Sequence, residues 1–291
     1  SLYKARALQY ALENSTISDD AWVVHLDEES HLTSSSVKGI TQMIREEEES
    51  GLLRIGQGTI LYHRKWKEHP VLTLADSIRT GDDLARFHFQ HQIGFTFFGL
   101  HGSYIVVRND VEKKIGFDFG PRGSITEDAY WALLAMGEGY KSRWVDGYIE
   151  EQSTHSVKDF IKQRQRWFEG LIKVALYTPV DWKMRFLLGM NIFLWAITPF
   201  AALYTITHFF YSFSLPFWLR FLANFSFISF IVFYIIGLKV NLDEHKINGS
   251  FKRMPYYILQ VILIPIFSIM ECLGVLSSVL CPSGGFHIVK K

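Results

Sequence analysis

Three groups of residues in this chain have types and spacings that can do chemistry. Asp27 and Glu29 come directly after the apolar run Ala21-Trp22-Val23-Val24-His25-Leu26. In an extended segment alternate side chains point the same way, so these two acids share a side. Such a pair beyond the carboxyl end of a strand can hold a divalent metal, and it can equally be a loop that caps the helix starting near Ser34. Glu127 and Asp128 follow Thr126 at the end of the Gly/Pro-rich turn Gly116 to Ser124, where a helix begins. A carboxylate there caps the helix or serves as a general base for an acceptor hydroxyl. Gln163, Arg166 and Trp167 stand at i, i+3 and i+4, which puts an amide, a guanidinium and an indole on one helical face. That face can grip a phosphate and stack on a sugar, while an amphipathic surface helix shows the same pattern. The loop Phe95 to Tyr104 adds aromatic rings with Gly102 and Ser103, a mixture that suits a sugar ring and also suits a core.

The elements that must position these groups alternate between strand and helix, which implies an α/β fold. Ala5 to Glu13 reads as a helix with Ala5, Leu8, Ala11 and Leu12 on one side. Because the chain opens in mid-pattern at Ser1-Leu2-Tyr3-Lys4, a preceding N-terminal portion is expected. Ala21 to Leu26 fits a buried strand of a parallel sheet. The helix Ser34 to Glu49 ends in four glutamates that read as a solvated face without chemistry. Gly51 to Tyr62 fits a strand in which Gly56 and Gly58 admit a close approach by backbone or ligand. Thr73 to Gln92 fits one helix whose Asp76, Arg79, Asp82, Asp83 and Arg86 read as surface ion pairs. A further helix covers Ala129 to Met136.

The second half has another solvent. Phe186 to Phe213 lacks Asp, Glu, Lys and Arg and exceeds the roughly 20 residues that cross hydrocarbon, so it reads as a span kinked at Pro199. Phe221 to Leu238 reads as a second span. Pro255 to Leu280 is a third, in which Pro265 suggests a segment that enters and returns and Glu271 suggests a cavity-lining acid. Lys183, Arg185, Lys239, Lys246, Lys252 and Arg253 place the soluble half in the cytosol by the positive-inside rule. On that orientation the sequons at Asn14 and Asn248 stay unmodified. The net charge of +1 over 291 residues excludes a strongly basic nucleic-acid binder. The two cysteines, Cys272 and Cys281, both in the last apolar segment, exclude a disulfide scaffold or zinc site and read as buried thiols.

Taken in order, His25-Leu26-Asp27-Glu28-Glu29, Leu74-Ala75-Asp76-Ser77, Gly123-Ser124-Ile125-Thr126-Glu127-Asp128, Gln163-Arg164-Gln165-Arg166-Trp167 and then apolar spans resemble the inverting glycosyltransferases of family 2. That family includes cellulose and hyaluronan synthases, and the likeness is nearest to its invertebrate β-1,4-mannosyltransferases of glycosphingolipid synthesis. The resemblance implies a GT-A-like, Rossmann-like catalytic domain without its N-terminal nucleotide-binding strands, then an interfacial helix and transmembrane helices. The corresponding divisions are 1–155, 156–182 and 183–291, with spans near 186–213, 221–238 and 255–281. It implies Asp27 and Glu29 as ligands of Mn²⁺ or Mg²⁺, with Glu in place of the more usual second Asp. Asp128 would be the general base with Glu127 beside it. Gln163, Arg166 and Trp167, with Gly102 and Ser103, would contact the donor diphosphate and acceptor, and Lys4 and Arg6 would approach the diphosphate. Phe286 to Lys291 resembles a gating segment, with Val289 where threonine is common.

The reaction so implied transfers mannose from GDP-mannose to glucosylceramide at an endoplasmic reticulum or Golgi membrane, with the catalytic domain facing the cytosol. The 291-residue chain alone is expected to be inactive, because the nucleobase-binding strands have no counterpart in it. The alternatives are a UDP-sugar-dependent transferase or polysaccharide synthase of the same family, and a non-catalytic membrane scaffold.

Overall fold

The computed structural model describes residues 1–64, 66, 68–212 and 214–282. The segment Phe286 to Lys291 lies outside the described residues. In chain order the elements are α1 (Tyr3–Asn14), β1 (Trp22–His25), β2 (His31–Leu32), α2 (Ser34–Ser50) and β3 (Ile55–Leu61). There follow α3 (Pro70–Asp82), a π-helical turn (Asp83–Phe87), α4 (His88–Gln92), β4 (Ile105–Arg108), α5 (Asn109–Ile115) and α6 (Gly120–Gly123). The remainder is α7 (Glu127–Gly137), β5 (Ser142–Glu150), α8 (Val157–Tyr177), α9 (Trp182–Ala196), α10 (Thr198–Phe210), α11 (Phe217–Glu244) and α12 (Ser250–Leu280). They form two compact units, one of residues Ser1–Leu61, Asp83–Gln152 and Glu169–Gly189, the other of Tyr62–Asp82, Ser153–Phe168 and Met190–Lys291.

The first unit is a five-stranded mixed sheet in the order β1-β4-β3-β5-β2 with helices around it. Only β3 and β5 run parallel. The Ala21–Leu26 run does form a strand, but β1 lies at an edge, is half-buried and pairs antiparallel with β4, which corrects the expectation of a buried parallel strand. An apolar run records burial, not the direction of its neighbour. β3 is buried along its whole length, and its glycines admit protein rather than ligand: a Cβ on Gly56 would lie 2.3 Å from Met43 Sδ and one on Gly58 2.2 Å from the Tyr104 ring. α2 is held by a capping box of Thr33 and Ser36 and stopped by Gly51 at φ 67°. Its glutamates are not all solvated. Glu47 is buried and accepts from Arg54 Nε and Arg143 Nη1, each at 2.9 Å, so its carboxylate ties the end of α2 to β5. Burial alone would raise its pKa, but Arg54 and Arg143 outweigh burial and hold it below the ordinary value.

The second unit is built on α3 and the apolar helices. Two glycines bring α3 and α11 into backbone contact: a Cβ on Gly237 would lie 1.7 Å from the Ser77 carbonyl oxygen, and one on Gly81 2.0 Å from that of Phe233. Small residues at such crossings are the usual means of close helix association in apolar surroundings. Leu74, Ala75 and Ile78 of α3 share a core with Leu238, Leu242, Ile264 and Phe267. Asp76 is therefore a buried residue of this unit and not part of a surface ion pair.

Three helical stretches among the described residues, Trp182–Phe210, Phe217–Glu244 and Ser250–Leu280, are long and apolar enough to cross a membrane. The first is interrupted at Ile197, and Pro199 stands in the first turn of α10. α12 exposes Val261, Ile262, Ile266 and Ile269 while burying Gln260 and Glu271, the reverse of a helix in water. It runs unbroken through Pro265 for 31 residues, about 46 Å at 1.5 Å per residue, so the segment does not return on itself. Pro265 forfeits one backbone hydrogen bond, a loss that helices in lipid tolerate. Of the two thiols, Cys272 is buried but Cys281, at the end of α12, is exposed, contrary to expectation.

Candidate active site

Asp27 lies in the turn beyond the end of β1. Pairing of His25 with Ile105, and of the Tyr104 N–H with the His25 carbonyl at 2.8 Å, lays this turn against Gly102 and Ser103. Tyr104 occupies the left-handed region at φ 60° although it is fully buried, and its hydroxyl donates to the Asp146 carbonyl at 2.9 Å. Surrounding contacts thus hold a strained residue directly after the site loop. The Asp27 N–H donates to Ser103 Oγ at 3.3 Å, and Ser30 Oγ bridges Ser103 Oγ at 2.8 Å and Glu151 Oε1 at 2.9 Å. Carboxylate oxygens of Asp27, Glu29 and Glu151 all lie within 4.8 Å of one another.

Glu151 does not figure among the expected ligands. It follows the end of β5, and its N–H donates to the Leu61 carbonyl at 2.8 Å, so two strand ends deliver the three acids. Its sequence signal is the one that marks Asp27, an acid directly after a strand. Three hard oxygen donors suit Mg²⁺ or Mn²⁺.

Lys4, near the start of α1, reaches this cluster. Its Nζ lies 2.5 Å from Asp27 Oδ1, 3.0 Å from the Gly102 carbonyl and 3.8 Å from Glu127 Oε1. Burial opposes its charge, but Asp27, Glu127 and Asp128 outweigh burial and raise its pKa. Arg6 is exposed and takes no part. Two residues apart on a helix point to nearly opposite sides, so the expected basic pair reduces to Lys4.

Glu127 and Asp128 open α7 without capping it through Thr126. Glu127 is buried, and burial first, then the neighbouring Asp128 charge, push its pKa up to about 7 against the pull of Lys4. Asp128 is more accessible and accepts from the Ala129 N–H at 2.8 Å. Gly102 is the meeting point: a Cβ there would stand 3.2 Å from Lys4 Nζ, 3.3 Å from Asp128 Oδ2 and 3.9 Å from Asp27 Oδ1. A pocket lined by Lys4, His25, Gly102, Glu127, Asp128 and Trp131 opens here. Of the phenylalanines upstream, Phe97 is buried and meets Phe98 edge to face, whereas Phe95 is exposed.

In the second unit α8 presents the remaining motif, and its interior is organised by Arg164. This fully buried guanidinium donates from Nε to Glu271 Oε1 at 2.6 Å, from Nη1 to Gln163 Oε1 at 2.7 Å and from Nη2 to Asp76 Oδ1 at 2.7 Å. Glu271 thus pairs with protein and is not a cavity lining. Gln163 is itself buried, so of the expected face only Arg166 and Trp167 remain half-exposed. Trp167 meets Arg164 at 4.7 Å and Arg79 at 4.3 Å. Arg164 sits inside the motif but off the i, i+3, i+4 face, so face spacing alone does not single it out.

Residues 22–240 match the family model described as glycosyl transferase family group 2, and the chain belongs to that family. It is 31% identical over 294 residues to the β-1,4-mannosyltransferase egh of Drosophila melanogaster, an alignment covering 100% of this chain and 63% of that protein. It is 32% identical over 295 residues to each of the β-1,4-mannosyltransferases bre-3 of Caenorhabditis briggsae and Caenorhabditis elegans, covering 99% of this chain and 63% of each. The chain therefore spans 63% of the length of these curated relatives.

Proposed function

We propose that the protein is an inverting glycosyltransferase that moves mannose from GDP-mannose to glucosylceramide at an endoplasmic reticulum or Golgi membrane, with its catalytic domain in the cytosol. The observation that carries this reading is the convergence of Asp27, Glu29, Glu151, Lys4 and Asp128 around Gly102 in a family 2 chain. The names of the relatives support the sugar, the three apolar stretches support a lipid acceptor, and the lysines and arginines flanking the spans support the orientation.

Asp128 takes the proton of the acceptor hydroxyl, which attacks the anomeric carbon as the bond to the diphosphate breaks. One displacement inverts configuration and needs no enzyme nucleophile. Glu127, its pKa pushed up to about 7 by burial and by Asp128, is partly protonated near neutral pH and so adds less like charge beside the base. Asp27, Glu29 and Glu151 would hold a divalent cation, which when bound supplies positive charge to the departing diphosphate. Lys4 adds a second positive charge beside Asp27, and Arg166 and Trp167 offer a donor and a ring for diphosphate and acceptor. Gly102 keeps the space between base and acids open, and a side chain there would enter it.

Membranes carrying the full-length protein, offered radiolabelled GDP-mannose or UDP-glucose with glucosylceramide and with or without Mn²⁺, test the reading. Metal-dependent mannose transfer that falls by about 10²- to 10⁴-fold in Asp128→Asn is the expected result. Transfer from UDP-glucose alone would overturn the donor, and full cellular function of Asp128→Asn would favour a scaffold.

A further inference from the structure

The second unit contains another arginine whose surroundings differ from those of Arg164. The Arg79 guanidinium carbon, on α3, lies 4.0 Å from the centroid of the Tyr62 ring and 4.3 Å from that of Trp167. Tyr62 is fully buried and Trp167 half-buried, so the stack is anchored at one end and reaches the surface at the other. Aromatic rings engage the face of a guanidinium and leave its five N–H donors, which lie in its plane, unspent. Among the described residues no hydrogen bond or ion pair takes the Arg79 donors. Asp76, one turn before Arg79 on α3, is committed elsewhere, since it accepts from Arg164. Surface ion pairing, the reading that spacing on α3 suggests, is therefore not what holds this residue.

We infer that Arg79 is a phosphate-binding residue, kept in place by Tyr62 and Trp167 with its N–H edge presented to an anionic ligand. A planar row of donors matches the oxygens of a phosphate in two-point contact. Restraint by two rings lowers the ordering cost that a free arginine would meet on binding. Trp167 ties the residue to the motif helix, where Arg166 supplies a second guanidinium next in sequence. The phosphate is that of the donor nucleoside diphosphate or that of a lipid headgroup. The first source rests on the transferase reading above, and the second does not.

The test is equilibrium binding of GDP and of guanosine, in the presence of Mn²⁺, to the full-length protein in phosphatidylcholine nanodiscs. Arg79→Gln is expected to weaken GDP binding about ten- to a hundredfold while guanosine binding stays the same. Arg79→Lys keeps the charge but not the planar edge, and an intermediate loss is expected. Unchanged GDP affinity sends the test to discs with phosphatidylserine, where loss of the wild type's thermal stabilisation by that lipid in Arg79→Gln assigns the site to a headgroup. No change in GDP affinity and no change in the response to phosphatidylserine overturns the inference. Should Arg79→Gln fail to fold, Arg79→Lys carries the same readings. Wild-type protein that neither binds GDP nor transfers mannose defeats the proposed function whatever Arg79 does. Normal GDP binding by both wild type and variants defeats the donor assignment of Arg79 alone.

Discussion

The protein houses clustered carboxylates in two ways. In the first unit Asp27, Glu29, Glu151, Glu127 and Asp128 gather with Lys4; Glu127 and Glu151 are buried, while Asp27, Glu29 and Asp128 are half-buried. In the second unit Asp76 and Glu271 are almost entirely buried, and both accept from Arg164. The first cluster brings several carboxylates close together, and such crowding of like charge costs energy that a bound cation or proton relieves. The second is tied together by a single guanidinium. Crowded acids mark a place where a cation can bind, and acids bridged by one arginine mark a joint.

The sharpest way to break this comparison is to unbalance the joint. Arg164→Met leaves two buried carboxylates without their partner and is expected to lower stability by about 3–5 kcal/mol, read from thermal unfolding in detergent. Adding Asp76→Asn and Glu271→Gln removes the stranded charges and should restore most of that loss. A triple variant no more stable than the single one would mean that packing around Arg164, with Phe160 at 3.9 Å and Gly274 beneath its Cβ, matters more than its charge. Next in size, Glu151→Gln should weaken Mn²⁺ binding about ten- to a hundredfold, the range seen when a supporting ligand is lost. It should leave the unfolding temperature of the metal-free protein unchanged or higher, because it relieves repulsion. Unaltered Mn²⁺ affinity would remove Glu151 from the cation site.

What the sequence discloses follows the same division. The apolar stretches, the amphipathic α8 and the acids after β1 are written in neighbouring residues, where period and composition suffice. The joint is not, because Arg164 lies 88 residues from Asp76 and 107 from Glu271, and only the folded chain brings them together. Glu151 escapes notice for the same reason, being 121 residues from Ser30, the hydroxyl it shares with the Asp27 turn. Glu47 shows the opposite error: a run of four glutamates reads as solvated, yet one of them faces inward because a helix turns 100° per residue. The antiparallel sense of β1 depends on which strand stands beside it, and composition does not specify that.

The smallest expected effect is a slope rather than a loss, and it belongs to Glu127. Its pKa in the folded protein is pushed up to about 7, above the ordinary carboxylate value of 4.5, by burial and by Asp128. Between those two values the folded state binds the extra proton, so stability should fall as pH rises from about 4.5 through 7. Glu127→Gln cannot ionise and should flatten that part of the curve for protein kept in EDTA. A cation beside Asp27 would stabilise the charged form of Glu127, so saturating Mn²⁺ should flatten the wild-type curve in the same way and release a proton near neutral pH. A wild-type slope that Mn²⁺ does not alter would separate Glu127 from the cation cluster and leave the cation to Asp27, Glu29 and Glu151.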